Sequence, residues 1–212
     1  MRKAGSKKNL PANVPGCVHA DLLSAAEIEN PFFRKNLESV AWVAESEWVY
    51  EKAFVSEDFS AFDRVVLRFE GVDTCATLCL NDTVLGHTSN LFETVEFEVK
   101  ALLKPGKNKI TVTFVPAESG MARATFGAIR RTAFSTADGA GLHPVSLTAG
   151  LWRGVSVLAF ASMRVTGVVI RQDFSVAGVV GLEVAVATER YDPALHLEIL
   201  VRVCYKGNIL HE

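Results

Sequence analysis

The sequence predicts an all-β protein, a sandwich or jelly roll followed by an incomplete second β-domain. From residue 47 onward, apolar side chains alternate with polar ones along short segments rich in β-branched and aromatic residues. Turn signals separate these segments, namely Gly71 with Asp73, the Asn81-Asp82 pair, and Pro105-Gly106-Lys107-Asn108. Each turn is short enough to join antiparallel neighbours, so the segments are expected to build sheets.

The first residues carry a basic cluster among Gly, Ser and Asn, made of Arg2, Lys3, Lys7 and Lys8. No apolar run follows it, so the cluster lacks the hydrophobic segment of a signal peptide. We expect residues 1–11 to form a disordered tail. Directly after Pro15 and Gly16, apolar residues recur at helical spacing and predict one short helix over residues 18–26.

Six segments of the predicted first domain, residues 12–160, have the strand pattern. They are Glu47–Val55, Arg64–Glu70, Cys75–Leu80, Glu93–Val99, Lys109–Val115 and Leu151–Phe160. In the fourth segment, Val95, Phe97 and Val99 point to one face while Glu96 and Glu98 point to the other. Such alternation is typical of a sheet with one buried face.

Residues 116–150 interrupt the strand pattern. An Ala-rich part, residues 120–133, has helical composition, and a run rich in Gly, Ser, Thr and Ala follows it. A connection of this length inside an all-β domain is more often a functional loop than a structural necessity.

The predicted second domain, residues 161–212, contains three strand segments: Met163–Asp173, Leu182–Thr188 and Leu195–Tyr205. Three strands cannot cover both faces of a sheet, because an immunoglobulin-type sandwich needs about seven strands. We therefore expect a partial domain whose apolar strands could be covered by a partner.

Composition excludes several classes of function. The 22 basic and 24 acidic residues give a net charge of −2, so the chain has no field that would attract nucleic acid or anionic membranes. No apolar run reaches the 18 or so residues of a membrane helix, which predicts a soluble protein. The four cysteines, without paired histidines, indicate small buried side chains rather than metal ligands, so we expect no metal or other cofactor. Free cysteines fit an intracellular location, although the compartment stays open.

The segment Val14-Pro15-Gly16-Cys17-Val18-His19-Ala20-Asp21-Leu22-Leu23 resembles the entry motif of β-mannosidases in glycoside hydrolase family 2. Further segments agree in order, including Asn30-Pro31-Phe32, Glu47-Trp48-Val49-Tyr50, Phe69-Glu70-Gly71-Val72-Asp73-Thr74, Asn90-Leu91-Phe92 and Ala149-Gly150-Leu151-Trp152-Arg153. The match covers roughly residues 12–160. It implies a jelly-roll, galactose-binding-domain-like sandwich, then an immunoglobulin-like domain, then a barrel whose two glutamates cleave terminal β-D-mannose with retention.

Retaining hydrolysis needs two carboxyl groups about 5 Å apart. In the family that this chain resembles, the acid/base glutamate directly follows an Asn, and this sequence contains no Asn-Glu pair. We assign no catalytic residue and expect the chain to end before the catalytic barrel, to support hydrolysis of β-mannosides performed there, and to be inactive alone. The alternatives are a free-standing carbohydrate-binding module or a structural interaction domain. A binding module needs exposed aromatics, whereas strand packing explains Trp42, Trp48 and Trp152.

The resemblance marks three candidate substrate-binding residues. Relatives carry a Trp-Asp-Trp motif that reaches into the sugar pocket, and this sequence has Ala137-Asp138-Gly139 there. Asp138 would accept a sugar hydroxyl, Arg130 would orient the loop, and Asn90 would lie near the active-site rim. The alternatives are that Asp138 is a turn aspartate, that Arg130 is a cation on a helix surface, and that Asn90 is a turn residue. Without both stacking rings, we expect no detectable binding of mannose to the isolated chain, because even a millimolar dissociation constant requires about 4 kcal/mol.

Two further features bear on the edges of the first sheet. Relatives open with a Trp-bearing strand, and nothing similar precedes Pro11, so the sheet is expected to lack an edge strand. Asn81-Asp82-Thr83 is a glycosylation sequon, but a hairpin turn also favours Asn there, and the turn suffices to explain it.

Overall fold

The computed structural model describes residues 1–116, 148–194, 196, 198–206 and 208–211. The chain forms two compact units. The first comprises Met1–Phe59 with Val65–Ala159, and the second comprises Ser60–Arg64 with Phe160–Glu212. None of the helices in these described ranges is long and apolar enough to cross a membrane.

The first unit is a β-sandwich, as the alternating segments predict. One sheet has five strands in the order β1-β2-β7-β4-β5, and the other has three in the order β6-β3-β8. The strands are β1 (Arg2–Lys3), β2 (Trp48–Ser56), β3 (Arg64–Phe69), β4 (Ala76–Leu80), β5 (Thr83–Thr88), β6 (Val95–Glu98), β7 (Gly106–Phe114) and β8 (Val155–Phe160). The sheets face each other closely, because a Cβ on Gly86 in β5 would lie 2.6 Å from Cε1 of Phe97 in β6.

The core lies between the two sheets and under one helix. Fully buried side chains come from both layers, including Trp48, Leu67, Phe69, Leu78, Leu80 and Phe114. The predicted helix is α1 (Val18–Ser24), which buries Val18 and Leu22 on one face. Two one-turn helices, α2 (Asn36–Ser39) and α3 (Ala41–Ala44), follow it and were not predicted. Burial of such apolar side chains supplies most of the stabilisation of a helix this short.

The prediction of a disordered tail is wrong for the chain start. Arg2 and Lys3 form β1 and pair antiparallel with Val49 and Trp48. Arg2 Nε lies 3.5 Å from a carboxylate oxygen of Glu51, so its charge has a partner on the same edge. The expected missing edge strand is also wrong, because β1 occupies the free edge of β2 with two residues. Pairing with an exposed strand edge depends on the folded sheet, and local composition does not report it.

The second unit contains two antiparallel pairs. Strand β9 (Met163–Asp173) pairs with β10 (Gly181–Arg190), and β11 (Val203–Tyr205) pairs with β12 (Asn208–His211). Of the predicted strand over 195–205, the described residues are in a strand only at Val203–Tyr205. Apolar side chains of this unit are half exposed, among them Val168, Ile170 and Leu182. A two-stranded sheet has no second layer to cover them.

A charged cluster connects residues 60–64 to the hairpin within the second unit. Glu189 Oε2 accepts hydrogen bonds from Arg64 Nη1 at 2.7 Å, Arg164 Nε at 2.9 Å and the Tyr191 hydroxyl at 2.9 Å. The Tyr191 hydrogen bond, followed by the Arg164 hydrogen bond, lowers the pKa of the Glu189 carboxyl. Within the second unit, the cluster therefore ties Arg64 to both strands of the hairpin.

The four cysteines are free, as expected, but their burial differs. Cys75 is buried, and burial raises the pKa of its thiol to about 11. Cys17 and Cys79 are partly buried. Cys204 is exposed, so the expectation of a buried side chain is wrong at that position.

A buried asparagine organises the turns at one end of the five-stranded sheet. The side-chain oxygen of Asn108 accepts hydrogen bonds from Asn81 Nδ2 at 2.7 Å and Lys104 N at 2.9 Å. Its amide nitrogen donates to the Ser56 hydroxyl at 3.1 Å and to the carbonyls of Lys104 and Gly106 at 2.8 and 3.0 Å. The residue is only 2% exposed, so these partners replace water entirely.

The sequon asparagine belongs to the same network. Asn81 Nδ2 also donates to Leu102 O at 3.0 Å, and its Oδ1 accepts from Lys109 N at 3.0 Å. Its φ of 48° lies in the left-handed region, which Asn tolerates better than most residues. The turn therefore uses every polar atom of this side chain, and the turn interpretation of the sequon accounts for Asn81.

We predict that Asn108→Ala lowers the free energy of unfolding by about 3 kcal/mol, because it leaves several buried turn groups without partners. Urea unfolding followed by tryptophan fluorescence measures the change. Asn9→Ala, at an exposed position, is the matched control and should stay within about 0.5 kcal/mol of the unsubstituted chain. Equal stability of the two variants would show that the network contributes nothing.

Candidate functional site

Strand register gathers several motif-bearing loops at one end of the first unit. Phe114 at the end of β7 lies opposite both Trp48 and Ala76, and Ala76 lies opposite Thr88 at the end of β5. The residues that continue from these positions therefore leave the sheet at the same end. We call this the loop end, and define it as residues 71–75, 89–94, 115–116 and 148–153.

The loop end holds both stems of the long connection between β7 and β8. Val115 N donates to Cys75 O at 3.0 Å, which anchors the departing stem. On the returning stem, Asp73 N donates to Gly150 O at 2.8 Å, and Gly150 N donates to Asp73 O at 2.9 Å. Segment 117–147 thus begins and ends beside the same three consecutive residues, 73–75.

The Asp73 carboxylate fixes the returning stem with its side chain as well. Its Oδ2 accepts a hydrogen bond from the Thr148 hydroxyl, and its Oδ1 accepts one from the Thr74 hydroxyl. The Thr88 hydroxyl donates to Thr74 O at 2.9 Å, which extends the cluster to β5. Asp73 is 3% exposed, and a buried carboxylate is tolerated only when its oxygens are hydrogen-bonded in this way. The group is therefore a positioning residue for the stem.

The entry motif holds the returning stem from the opposite side. Gly16 N donates to Leu151 O and Val18 N donates to Ala149 O, both at 2.8 Å. The two backbones approach so closely that a Cβ on Gly150 would lie 2.7 Å from Gly16 O. Only glycine fits there, which explains why this residue type follows Ala149.

The aspartate of the entry motif is a structural anchor. Asp21 is 2% exposed, and its Oδ1 accepts from Asn13 N at 2.9 Å while its Oδ2 accepts from the Tyr50 hydroxyl at 3.2 Å. Burial, together with the Asp21 charge, raises the pKa of Tyr50. Burial lowers the pKa of His19, which favours its neutral imidazole near pH 7. These contacts fasten α1 and the residues before it to β2.

Of the three predicted substrate-binding residues, the described ranges contain Asn90. Its Oδ1 accepts from Phe92 N at 3.2 Å, and its carbonyl accepts from Glu93 N at 3.3 Å, so Asn90 closes a turn. Within the described part of the chain, its Nδ2 has no hydrogen-bond partner. Asn90 thus lies at the loop end, two residues beyond Thr88. Arg130 and Asp138 lie outside the described residues, between the two stems.

The loop end also presents an aromatic cluster that the sequence did not predict as functional. Trp152 Nε1 donates to Leu91 O at 2.9 Å, and the Trp152 ring meets Phe92 at a centroid distance of 6.2 Å and an angle of 84°. The Arg153 guanidinium lies 4.1 Å from the Trp152 ring centroid. Phe92 remains 64% exposed. The sequence feature that could have indicated Phe92 is a phenylalanine in a turn, directly before the next strand of alternating apolar and polar residues.

Among residues 1–116 and the described positions after 147, no group of three or more His, Cys, Asp and Glu side chains could hold a metal ion. The two most buried carboxylates in these ranges already accept hydrogen bonds. Asp21 accepts from Asn13 and Tyr50, and Asp73 accepts from the hydroxyls of Thr74 and Thr148. Among the described residues, the loop end therefore offers a ligand an exposed aromatic ring together with amide and guanidinium donors.

Comparisons with known proteins place this geometry in a family. The model of the glycosyl hydrolase 2 galactose-binding domain-like family matches residues 1–153. The β-mannosidase of Capra hircus is 40% identical over 106 residues, which cover 50% of this chain and 12% of that protein. β-Mannosidase B of Thermothelomyces thermophilus is 37% identical over 108 residues, which cover 50% of this chain and 13% of that protein. The chain therefore spans only a small part of these relatives' length.

Solved structures agree with the sequence relatives. The crystal structure of β-D-mannosidase from Dictyoglomus thermophilum matches with a TM-score of 0.78 and 28% identity, covering 89% of this chain and 25% of that chain. The exo-chitosanase CsxA of Amycolatopsis orientalis matches with a TM-score of 0.62 and 18% identity, covering 89% of this chain and 22% of that one. At that identity the second match shows a shared fold alone.

We predict that Thr148→Val lowers the free energy of unfolding by about 1–3 kcal/mol, because the isosteric side chain leaves a buried carboxylate oxygen of Asp73 without its donor. Chemical denaturation measures the loss. Thr111→Val in β7 is the control, since its hydroxyl makes no hydrogen bond to any residue that the structure describes and valine suits a strand. A Thr148→Val variant as stable as the control would contradict the role given to Asp73.

Proposed function

Because the chain belongs to the glycosyl hydrolase 2 galactose-binding domain-like family, we propose that it is the non-catalytic sandwich domain of a β-mannosidase-like glycosidase. In this role the loop end contributes to the rim of a sugar pocket. Hydrolysis of terminal β-D-mannose residues is the work of a catalytic domain outside this chain.

The observation that carries the proposal is the anchoring of both loop stems at residues 73–75, beside the turn that begins at Asn90. Arg130 and Asp138 belong to the segment between these stems. The three residues assigned to substrate by family resemblance are therefore all connected to one end of one sandwich. Rigid strands that carry a long loop are the usual way in which a fold presents binding residues.

The chemistry of the carboxylates favours a non-catalytic role for this chain. A retaining glycosidase needs an acid/base carboxyl and a nucleophilic carboxylate about 5 Å apart, on opposite sides of the scissile bond. At the loop end, Asp73 is buried and both of its oxygens accept threonine hydroxyls, so it is closed to a substrate. The sequence also lacks the Asn-Glu pair that marks the acid/base residue in the family.

A second candidate function is a free-standing carbohydrate-binding or structural interaction domain. The apolar side chains on one face of the β9–β10 hairpin favour it, since Val168 and Ile170 are each more than half exposed and lie opposite Val186 and Val184. Contiguous apolar surface of this kind is typical of a face that a partner covers. The first candidate remains the better supported one, because it also explains the anchored loop.

We predict that the purified chain releases no p-nitrophenol from p-nitrophenyl β-D-mannopyranoside above the rate of a protein-free blank, because it supplies no catalytic carboxylate pair. Asp73→Asn and Asp138→Ala should give the same blank rate. Turnover that disappears on substitution of a single Asp or Glu, in a variant with an unchanged far-UV circular dichroism spectrum, would overturn the proposal. Activity from a contaminating enzyme would not respond to these substitutions.

A further inference from the structure

The Phe92 side chain is an exposed aromatic ring held in a fixed position. The side chain is 64% exposed. The backbone around it is fixed, because Phe92 N donates to Asn90 Oδ1 at 3.2 Å and Glu93 N donates to Asn90 O at 3.3 Å. Exposing most of a phenylalanine forfeits the hydrophobic stabilisation that burial of the ring would give. A rigid turn that presents such a ring to solvent is suited to binding.

Trp152, the side chain that packs against Phe92, is also held in a fixed position. Trp152 packs against the ring in a T-shaped pair, and its indole nitrogen is bonded to Leu91 O. Arg153 covers the indole, and a Cβ on Gly71 would overlap the same ring. Because Trp152 is held by these contacts, little conformational entropy is lost when a ligand contacts Phe92.

We propose that Phe92 is a stacking surface for a β-configured pyranoside, with Asn90 Nδ2 donating to one of its hydroxyls. This inference rests on the proposed function and names a residue that recognises the sugar. In a β-D-mannopyranoside the axial hydrogens on C1, C3 and C5 share one face of the ring, which makes that face apolar. In the α-anomer an axial oxygen occupies the same face. The apolar face fits the exposed Phe92 ring.

The residues around Phe92 favour a sugar, rather than an apolar protein surface, as the ligand of its ring. Phe92 is a single ring, and its neighbours Glu93 and Thr94 are exposed and polar. The Asn90 amide and the Arg153 guanidinium add hydrogen-bond donors on the same loop end. An apolar platform with a few fixed polar groups is the usual composition of a small-ligand site. Phe92 would supply the ring stacking that Ala137 and Gly139, which stand where relatives have tryptophans, do not supply.

Titration with methyl β-D-mannopyranoside, followed by amide chemical shifts of the whole chain, tests the proposal. We expect saturable shifts at Leu91, Phe92, Glu93 and the Trp152 indole N–H, with a dissociation constant on the order of 10 mM, the range that one stacked ring and one hydrogen bond reach. The methyl α-anomer should bind several-fold more weakly.

Three variants make the test specific. Phe92→Ala should abolish the shifts up to 200 mM sugar, a concentration of about 20 times the expected constant, while Phe92→Trp should retain them. Phe174→Ala is the matched control, since Phe174 is 67% exposed but lies in the second unit, and it should bind like the unsubstituted chain. Unchanged amide shifts over Val65–Phe69 in the absence of sugar verify that each variant is folded.

The outcomes separate the two proposals. Shifts that survive Phe92→Ala but disappear with Asp138→Ala would refute stacking on Phe92 and leave the sugar-facing role of the loop in place. Binding that does not distinguish the two anomers would also refute the stacking geometry. Absence of any saturable shift in the first unit up to 200 mM, about 20 times the expected constant, would overturn stacking on Phe92 alone, because the proposed function requires no sugar binding by the isolated chain.

Discussion

The attachment of residues 73–75 to both stems of the long connection is the constraint on which the loop end depends. Two backbone hydrogen bonds between Asp73 and Gly150, a third from Val115 to Cys75, and the Asp73 carboxylate on Thr148 fix where segment 117–147 leaves and rejoins the sandwich. The entry motif then holds the same stem through Gly16 and Val18. Motifs far apart in sequence are thereby brought to one place.

Periodicity in the sequence predicts the elements that bury one face. Strands β2, β3, β4, β6 and β7 and helix α1 were all expected from alternating or helical spacing of apolar residues. Strand β5 was missed, because Gly86 interrupts its pattern where it packs against Phe97. Strand β1 was missed because two basic residues pair with an edge that exists only after β2 has folded. The apolar run after residue 195 has strand composition, but its described residues form a strand only at Val203–Tyr205.

The candidate site was predicted in part, through resemblance more than through pattern. Resemblance marked Asn90 as a candidate, and its role stays a prediction; the structure adds that its side-chain oxygen closes a turn. Phe92 and Arg153 were missed, since an aromatic or basic residue beside a strand gives no sign of its exposure. Asp73 was predicted only as a turn residue, because Thr148, which donates to its carboxylate, lies 75 positions later in the sequence. Long-range contacts of this kind are not encoded in local spacing.

The central claim is that sugar meets this chain at the loop end, and paramagnetic relaxation measures this most directly. A β-mannoside carrying a nitroxide on its aglycone should broaden the amide resonances of Thr74, Asn90 and Ala149. It should leave those of Asn81 and Lys107, at the opposite end of the same sheet, unaffected. Equal broadening at both ends, or broadening confined to the second unit, would contradict the account.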